Sequence, residues 1–135
     1  MNDGTKTHFL NVDLELRATK ELTELVQAFE PGATALNCMP LDDGYLANLE
    51  LDTQPTEAEA AIRSFIKLIE RLPTRARELW NNASSRDFSI GVQAGSTPSS
   101  FDLALTPEVL GLAADVRARI TFVVYVDAPA SAPSA

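Results

Sequence analysis

Apolar and polar residues alternate from Phe9 to Ala18. Leu10, Val12, Leu14 and Leu16 fall on one side; Asn11, Asp13, Glu15 and Arg17 fall on the other. A period of two marks a β-strand with one buried and one wet face. The period then changes. Thr19 is placed to cap a helix whose Leu22, Leu25, Val26 and Phe29 form one stripe, and Pro31-Gly32 ends it. Thr34 to Met39 predicts a second, short apolar strand, and Pro40 to Gly44 a turn. Tyr45 to Leu51 predicts a third strand, with Tyr45, Ala47, Leu49 and Leu51 on one face.

Thr56-Glu57-Ala58-Glu59 has the form of a capping box. It opens the longest helix, striped by Ile62, Phe65, Ile66, Ile69 and Leu72, which Pro73 kinks or ends before a short helical stretch from Thr74 to Asn81. Phe88 to Ala94 alternates again as a fourth strand. After a Gly-, Ser- and Pro-rich loop, Phe101 to Leu105 predicts a fifth. Thr106 caps a third main helix, with Pro107 at its first position, Glu108 in its first turn, and Val109, Leu112, Ala113 and Val116 on one face. Ile120 to Val126 closes the unit as a sixth strand, with Ile120, Phe122, Val124 and Val126 expected in the core.

Strands with one polar face beside singly striped helices predict the α+β class. The expected architecture is a two-layer sandwich, a mostly antiparallel sheet with helices on one face. Its first six elements match a ferredoxin-like βαββαβ order, and a further βαβ portion follows. Residues 1–127 read as a single domain. Residues 128–135, APASAPSA, carry no charge and little to bury, and read as a flexible C-terminal tail.

Composition narrows the function classes. The chain has 135 residues, a net charge of −8 and one cysteine, Cys38. The acidity argues against nucleic acid as a partner, since phosphate binding needs a basic footprint. No apolar run is long enough for a membrane span, and the N-terminal segment lacks the basic and apolar regions of a signal peptide. A lone cysteine fits a reducing compartment, so the expected location is the cytoplasm. Charge is uneven: residues 1–60 carry −9, residues 61–86 carry +4, and the remainder −3.

Few residues promise chemistry. His8 is the only histidine, and spacing supplies it with no partner. Cys38 follows Asn37 in a short apolar strand and reads as a small buried hydrophobe. Asp42-Asp43-Gly44 reads as a tight turn rather than a calcium loop. Motifs for phosphate cradling, nucleophile elbows and zinc sites are missing. No catalytic residue, cofactor or metal site is therefore expected. Arg63, Lys67 and Arg71, with Glu59 four residues before Arg63, read as a solvated helix face.

DFSIGV, the following loop and FDLALTPEVLGLAADVRARITFVVYVD resemble the C-terminal half of a family of small bacterial α/β domains of unknown function. Leu10 to Pro31, Thr56 to Leu72 and Phe101 to Tyr125 match that family's pieces. Trp80 departs from it, because the family's tryptophan stands near the second or third strand. The resemblance implies a bacterial source and the two-layer fold, and it implies no activity.

The open face of the sheet is the least ordinary feature. Parity places Asp13, Glu15, Arg17, Leu46, Asn48, Glu50, Ser89, Gln93, Asp102, Thr121, Val123, Tyr125 and Asp127 on it. Val123, Tyr125 and Leu46 are apolar among these, with Glu15 in the charged rim, which is the pattern of a protein contact. The expected function is a non-enzymatic interaction domain whose partner is another protein or a second copy. The alternative is a small-molecule binder or enzyme with a pocket between sheet and long helix, drawing on Cys38, Tyr45, Tyr125 or the Arg63 row.

Overall fold

In the computed structural model, which describes residues 5–127, strands and helices alternate with few long connections. The order is β1 (His8–Ala18), α1 (Thr23–Gln27), β2 (Ala33–Leu41), β3 (Gly44–Leu51), α2 (Ala58–Glu70), α3 (Thr74–Asn81), β4 (Ser85–Gln93), α4 (Pro107–Asp115) and β5 (Arg119–Tyr125). The class is α+β. The strands form one open, five-stranded mixed sheet in the order β2-β3-β1-β4-β5. β1 pairs antiparallel with β3 and β4, β2 pairs antiparallel with β3, and β5 runs parallel to β4.

The alternation in β1 sets the layering. Val12, Leu14 and Leu16 are fully buried and register with Ile90, Phe88, Leu49 and Ala47 of the flanking strands. The helices cover this face. The α2 stripe inserts Ile62, Phe65 and Ile69, and Phe65 lies 5.9 Å from Phe88 between ring centroids. Trp80 of α3 is also fully buried, packs on Phe29, and donates its indole N–H to the Val116 carbonyl at 3.0 Å. Arg86 braces the same end, with Nη1 donating to the carbonyls of Trp80 and Ala83 and Nε to that of Arg117, each at 2.9 Å.

Several expectations need correction. Residues 101–105 form no strand. Both sides of β4 are already taken, by β1 and β5, so this stretch belongs to the crossover that a parallel β4–β5 pair requires. Its Leu103 and Leu105 pack at the rim of the core, and Phe101 is exposed. Among the described residues the sheet therefore has five strands rather than six. Bulges shift two others. Between Phe9 and Asn11 the register slips, so Phe9 packs against the core and Leu10 is exposed. A second slip between Ala35 and Asn37 leaves Leu36 outside.

The capping box is not formed. α2 starts at Ala58, its N-cap Glu57 makes no side-chain bond, and Thr56 takes no part. Glu59 is engaged elsewhere: it accepts from the backbone N–H and the hydroxyl of Thr106, each at 3.0 Å. Thr106 does cap α4, its hydroxyl accepting from the Val109 N–H at 3.3 Å. Thr19 does not cap α1, which begins at Thr23 after Leu22, although Leu22, Leu25, Val26 and Phe29 are all buried as the stripe requires.

Cys38 is exposed, not buried. It sits on the outermost strand, where residues 36–40 are all uncovered by a helix. Phe122, Val124 and Val126, expected in the core, are 50%, 56% and 77% exposed, although the register of Phe122 opposite Ile90 gives them the core-side parity. The helix layer ends short of them. The tail expected at residues 128–135 lies outside the described residues. Among the described residues, no helix is long and apolar enough to cross a membrane.

Phe65 is fully buried at the centre of this packing. Phe65→Ala is expected to cost about 3–5 kcal/mol, the usual range for emptying a buried aromatic site. Urea unfolding followed by circular dichroism measures it, and a loss within error of zero would remove α2 from the centre of the core.

Candidate protein-interaction surface

The register turns the sheet's open face into a map. One row across it reads Asn37, Asn48, Glu15, Asp87 and Arg119; the next reads Thr34, Glu50, Asp13, Ser89 and Thr121. Asp13 and Glu50 therefore stand directly opposite each other, a like-charge pair. Asn11 donates to Asp13 at 3.2 Å. Burial, and after it the charge of Glu50, raises the Asp13 carboxyl above its ordinary value. Glu15 is paired with Arg17 at 3.2 Å on its own strand.

Asp87 is the face's buried acid, at 5% exposure. It accepts from the Thr121 hydroxyl at 2.9 Å and from Arg119 at 3.1 and 3.2 Å. These bonds fasten the first half of β5 to β4. Parity alone places Asp87 on this face, but its role needed the β4–β5 register, which a sequence does not print. Asp102, expected here too, lies in the crossover instead.

The four residues expected to form a contact are not contiguous. Val123 and Tyr125 register with Gly91 and Gln93 at one end of β4. Tyr125 lies against Gly91, where an added Cβ would stand 3.5 Å from its ring. Leu46 registers with Arg17, and Arg17 with Ser85, at the opposite end. From Leu46 to Val123 is about 14 Å across three strand spacings and about 20 Å along the strands. Glu15 lies between them. Val123 and Tyr125 thus belong together, whereas Leu46 neighbours Met39 at the far corner.

What surrounds Val123 and Tyr125 is the free edge of the sheet. Among the described residues, β5 pairs with β4 alone. It is apolar on both faces: Tyr125 is 53% exposed on the open side, Phe122 and Val124 are 50% and 56% exposed on the helix side. Leu110 of α4 is exposed as well. Glu108 of α4 reaches Arg63 of α2 at 2.7 Å, and Leu110 stands about 200° further round the helix, on the flank turned away from α2. The apolar surface therefore wraps the edge. One sequence signal points to it: Ile120 to Val126 is apolar at both parities, which a strand with one wet face does not need.

The opposite edge differs. β2 carries a bulge at Leu36 and a proline at position 40, both of which interrupt edge pairing. β5 has neither, and its register with β4 runs unbroken from Arg119 to Tyr125.

The catalytic alternative finds less. His8 registers with Gln93, and Cys38 with Ala47 opposite Leu16, so the two lie about 26 Å apart along β1 alone. Among the described residues, no group of three or more His, Cys, Asp or Glu side chains is placed to hold a metal ion. A cleft of about 520 Å³ does open at the N-terminal end of α2, lined by Phe9, Thr56, Glu57, Arg63, Phe101 and Leu103 among others. Of the residues nominated for a pocket, only Arg63 borders it, and its guanidinium is held by Glu108 at 2.7 Å and Glu59 at 3.4 Å. Cys38, Tyr45 and Tyr125 lie elsewhere.

Compared with known proteins, the chain matches no family model, no curated protein and no solved structure.

The raised Asp13 carboxyl makes stability depend on pH with a definite sign. The folded chain binds this proton more readily than the unfolded chain, so the group weakens the fold at neutral pH. The penalty fades as pH falls through the raised folded value toward the ordinary aspartate range near about 4. Asp13→Asn is therefore expected to raise the melting temperature at neutral pH, with the gain shrinking toward acid. A gain that grows on acidification would show the opposite linkage.

Proposed function

We propose that the chain is a non-enzymatic protein-interaction domain that uses the β5 edge and the apolar residues flanking it. The observation that supports this is the pairing of an unblocked edge strand with exposed apolar side chains on both of its faces, Phe122 and Val124 on one and Tyr125, beside the half-buried Val123, on the other. Strand addition supplies affinity through main-chain hydrogen bonds, and alternate side chains supply specificity. Tyr125 suits an interface centre, offering apolar area with a polar tip. Leu46 and Glu15, at a distance along the open face, act at most as a separate rim.

A finer reading of the fold belongs with this proposal. The first four strands lie in the order β2-β3-β1-β4, all neighbours antiparallel, which supports a ferredoxin-like βαββαβ core. α4 and β5 then act as an appended unit that moves the free edge outward from β4. A cytoplasmic location and a bacterial source remain part of the proposal; they rest on the single cysteine and on the family resemblance.

One observation favours a second reading, that of a small-molecule binder: the cleft beside α2 has a volume within the range of ligand sites. A thermal shift with any compound class that Phe101→Ala abolishes would favour it.

The interaction reading is tested with Val124→Pro. The carbonyl of Tyr125 accepts from the Ala94 N–H at 2.8 Å, so odd-numbered residues of β5 direct their backbone toward β4. Even-numbered ones point their N–H and C=O to the free edge. Proline at 124 therefore removes an edge donor without breaking the β4–β5 ladder, the position where edge strands tolerate it. The variant is expected to keep its melting transition and to lose the association, whether with a second copy or with another protein, that the parent shows by light scattering and by affinity isolation. An unchanged set of associations would overturn the reading.

A further inference from the structure

We infer that the occupant of the β5 edge is a second copy of this chain, paired antiparallel through β5 about a two-fold axis at Phe122. The inference rests on the interaction reading above and narrows it to one partner.

The first argument is register. An antiparallel pair needs its hydrogen-bonded residues to face the partner strand together. On β5 these are Ile120, Phe122 and Val124, the residues whose backbone points away from β4. A two-fold axis at Phe122 sets Phe122 opposite its own copy and Ile120 opposite Val124. All three free positions are then used, each pair exchanging both bonds. No residue needed by β4 is taken from it.

The second argument is side-chain symmetry. The strand RITFVVY is close to palindromic in shape about Phe122. Ile120 and Val124, both β-branched aliphatics, become cross-strand partners on the helix side. Thr121 and Val123, which share one shape, become partners on the open side. Arg119 meets Tyr125, a long cation beside an aromatic ring. On the helix side the two Phe122 rings would fall together, flanked by Ile120 and Val124 of each copy, so the exposed apolar edge would become the middle of a continuous core.

Charge is the third. Arg119 is the only charged residue within β5, and it is already held by Asp87 of its own chain. Just beyond the strand, the same register sets Arg117 of one copy opposite Asp127 of the other, on both sides of the axis. Both are exposed. An acidic chain thus meets its copy along a neutral line with opposite charges at each end. An isologous contact of this kind closes on itself and leaves β2, the blocked edge, at both ends of a continuous sheet.

The test uses the full chain. Sedimentation or light scattering is expected to give twice the chain mass, and Val124→Pro half of the parent value. Phe122→Cys, in a Cys38→Ser background, is expected to cross-link to its own copy under mild oxidation. Facing residues of such a pair have Cα atoms about 5.5 Å apart, within disulfide reach. Val124→Cys in the same background is not expected to cross-link, since Val124 faces Ile120. A parent chain that stays monomeric to its solubility limit overturns the inference. If Val124→Pro then abolishes capture of a different protein, the broader interaction reading stands; if it changes nothing, both fall. A dimer that survives Val124→Pro and gives no Phe122→Cys cross-link uses another face, which also overturns the inference.

Discussion

Phe65 of α2 lies against Phe88 of β4, and keeping that contact dry constrains most of the remaining structure. Both rings are fully buried. Burying them requires helices on one side of the sheet and a strand on each side of β4. It also fixes where α4 must stand, because α2 needs a neighbour on its outer flank. α4 is tied there at both ends. Its first turn is held by Glu59 and Arg63 through Thr106 and Glu108, and its last by the Trp80 indole on the Val116 carbonyl. The exposed ion pairs contribute little each. The buried indole bond contributes about 1 kcal/mol, and its loss would leave a polar group stranded. So held, α4 does not shift outward, and the cover it provides reaches Ile120 but not Phe122 or Val124.

The free edge is thus a consequence of how the core is closed, not an isolated irregularity. The two ends of the sheet show what a protected edge looks like beside an unprotected one. β2 accepts a bulge and a proline, features that blunt an exposed edge. β5 keeps an unbroken β-prone run. It is also pinned to β4 by side chains, since Asp87 gathers both Arg119 and Thr121. A strand held straight on one side and bare on the other is organised in advance for addition of another strand, which lowers the entropy that binding must overcome.

Much of this was legible in the sequence, and the failures have definite causes. Parity in β1, β3, β4 and β5 was readable because a period of two survives wherever one face is buried, and Thr106-Pro107-Glu108 announced α4 by cap chemistry that is local. Leu10, read as part of the buried side of β1, lies outside and Phe9 takes its place, because a bulge adds one residue without leaving a mark in composition. Phe101 to Leu105 alternates like a strand, yet no edge was left for it beside β4. The capping box at Thr56 failed because its acid found a better donor forty-seven residues away in Thr106. As for the contact surface, Val123 and Tyr125 were visible from parity, whereas Phe122 and Val124 were assigned to a core whose width only the helices decide. Leu46 was grouped with them because a sequence gives the face of a residue but not its row.

The same map says which surfaces are poor meeting places for two copies. Face-to-face contact across the open sheet would bring Asp13, Glu15 and Glu50 of one copy toward those of the other, adding repulsion to a pair that is already unfavourable within one chain. Burying those acids would also remove their hydration, which costs more than the apolar area of Val123 alone returns. The helix side carries Lys67 and Arg71, exposed and strongly hydrated, with Glu70 between them. Between these faces runs the β5 edge, where the only charge is neutralised within the chain and the exposed groups are apolar side chains and unpaired main chain. For a molecule of net charge −8, the acids that keep its broad faces apart leave this narrow line as the place where close approach is least opposed.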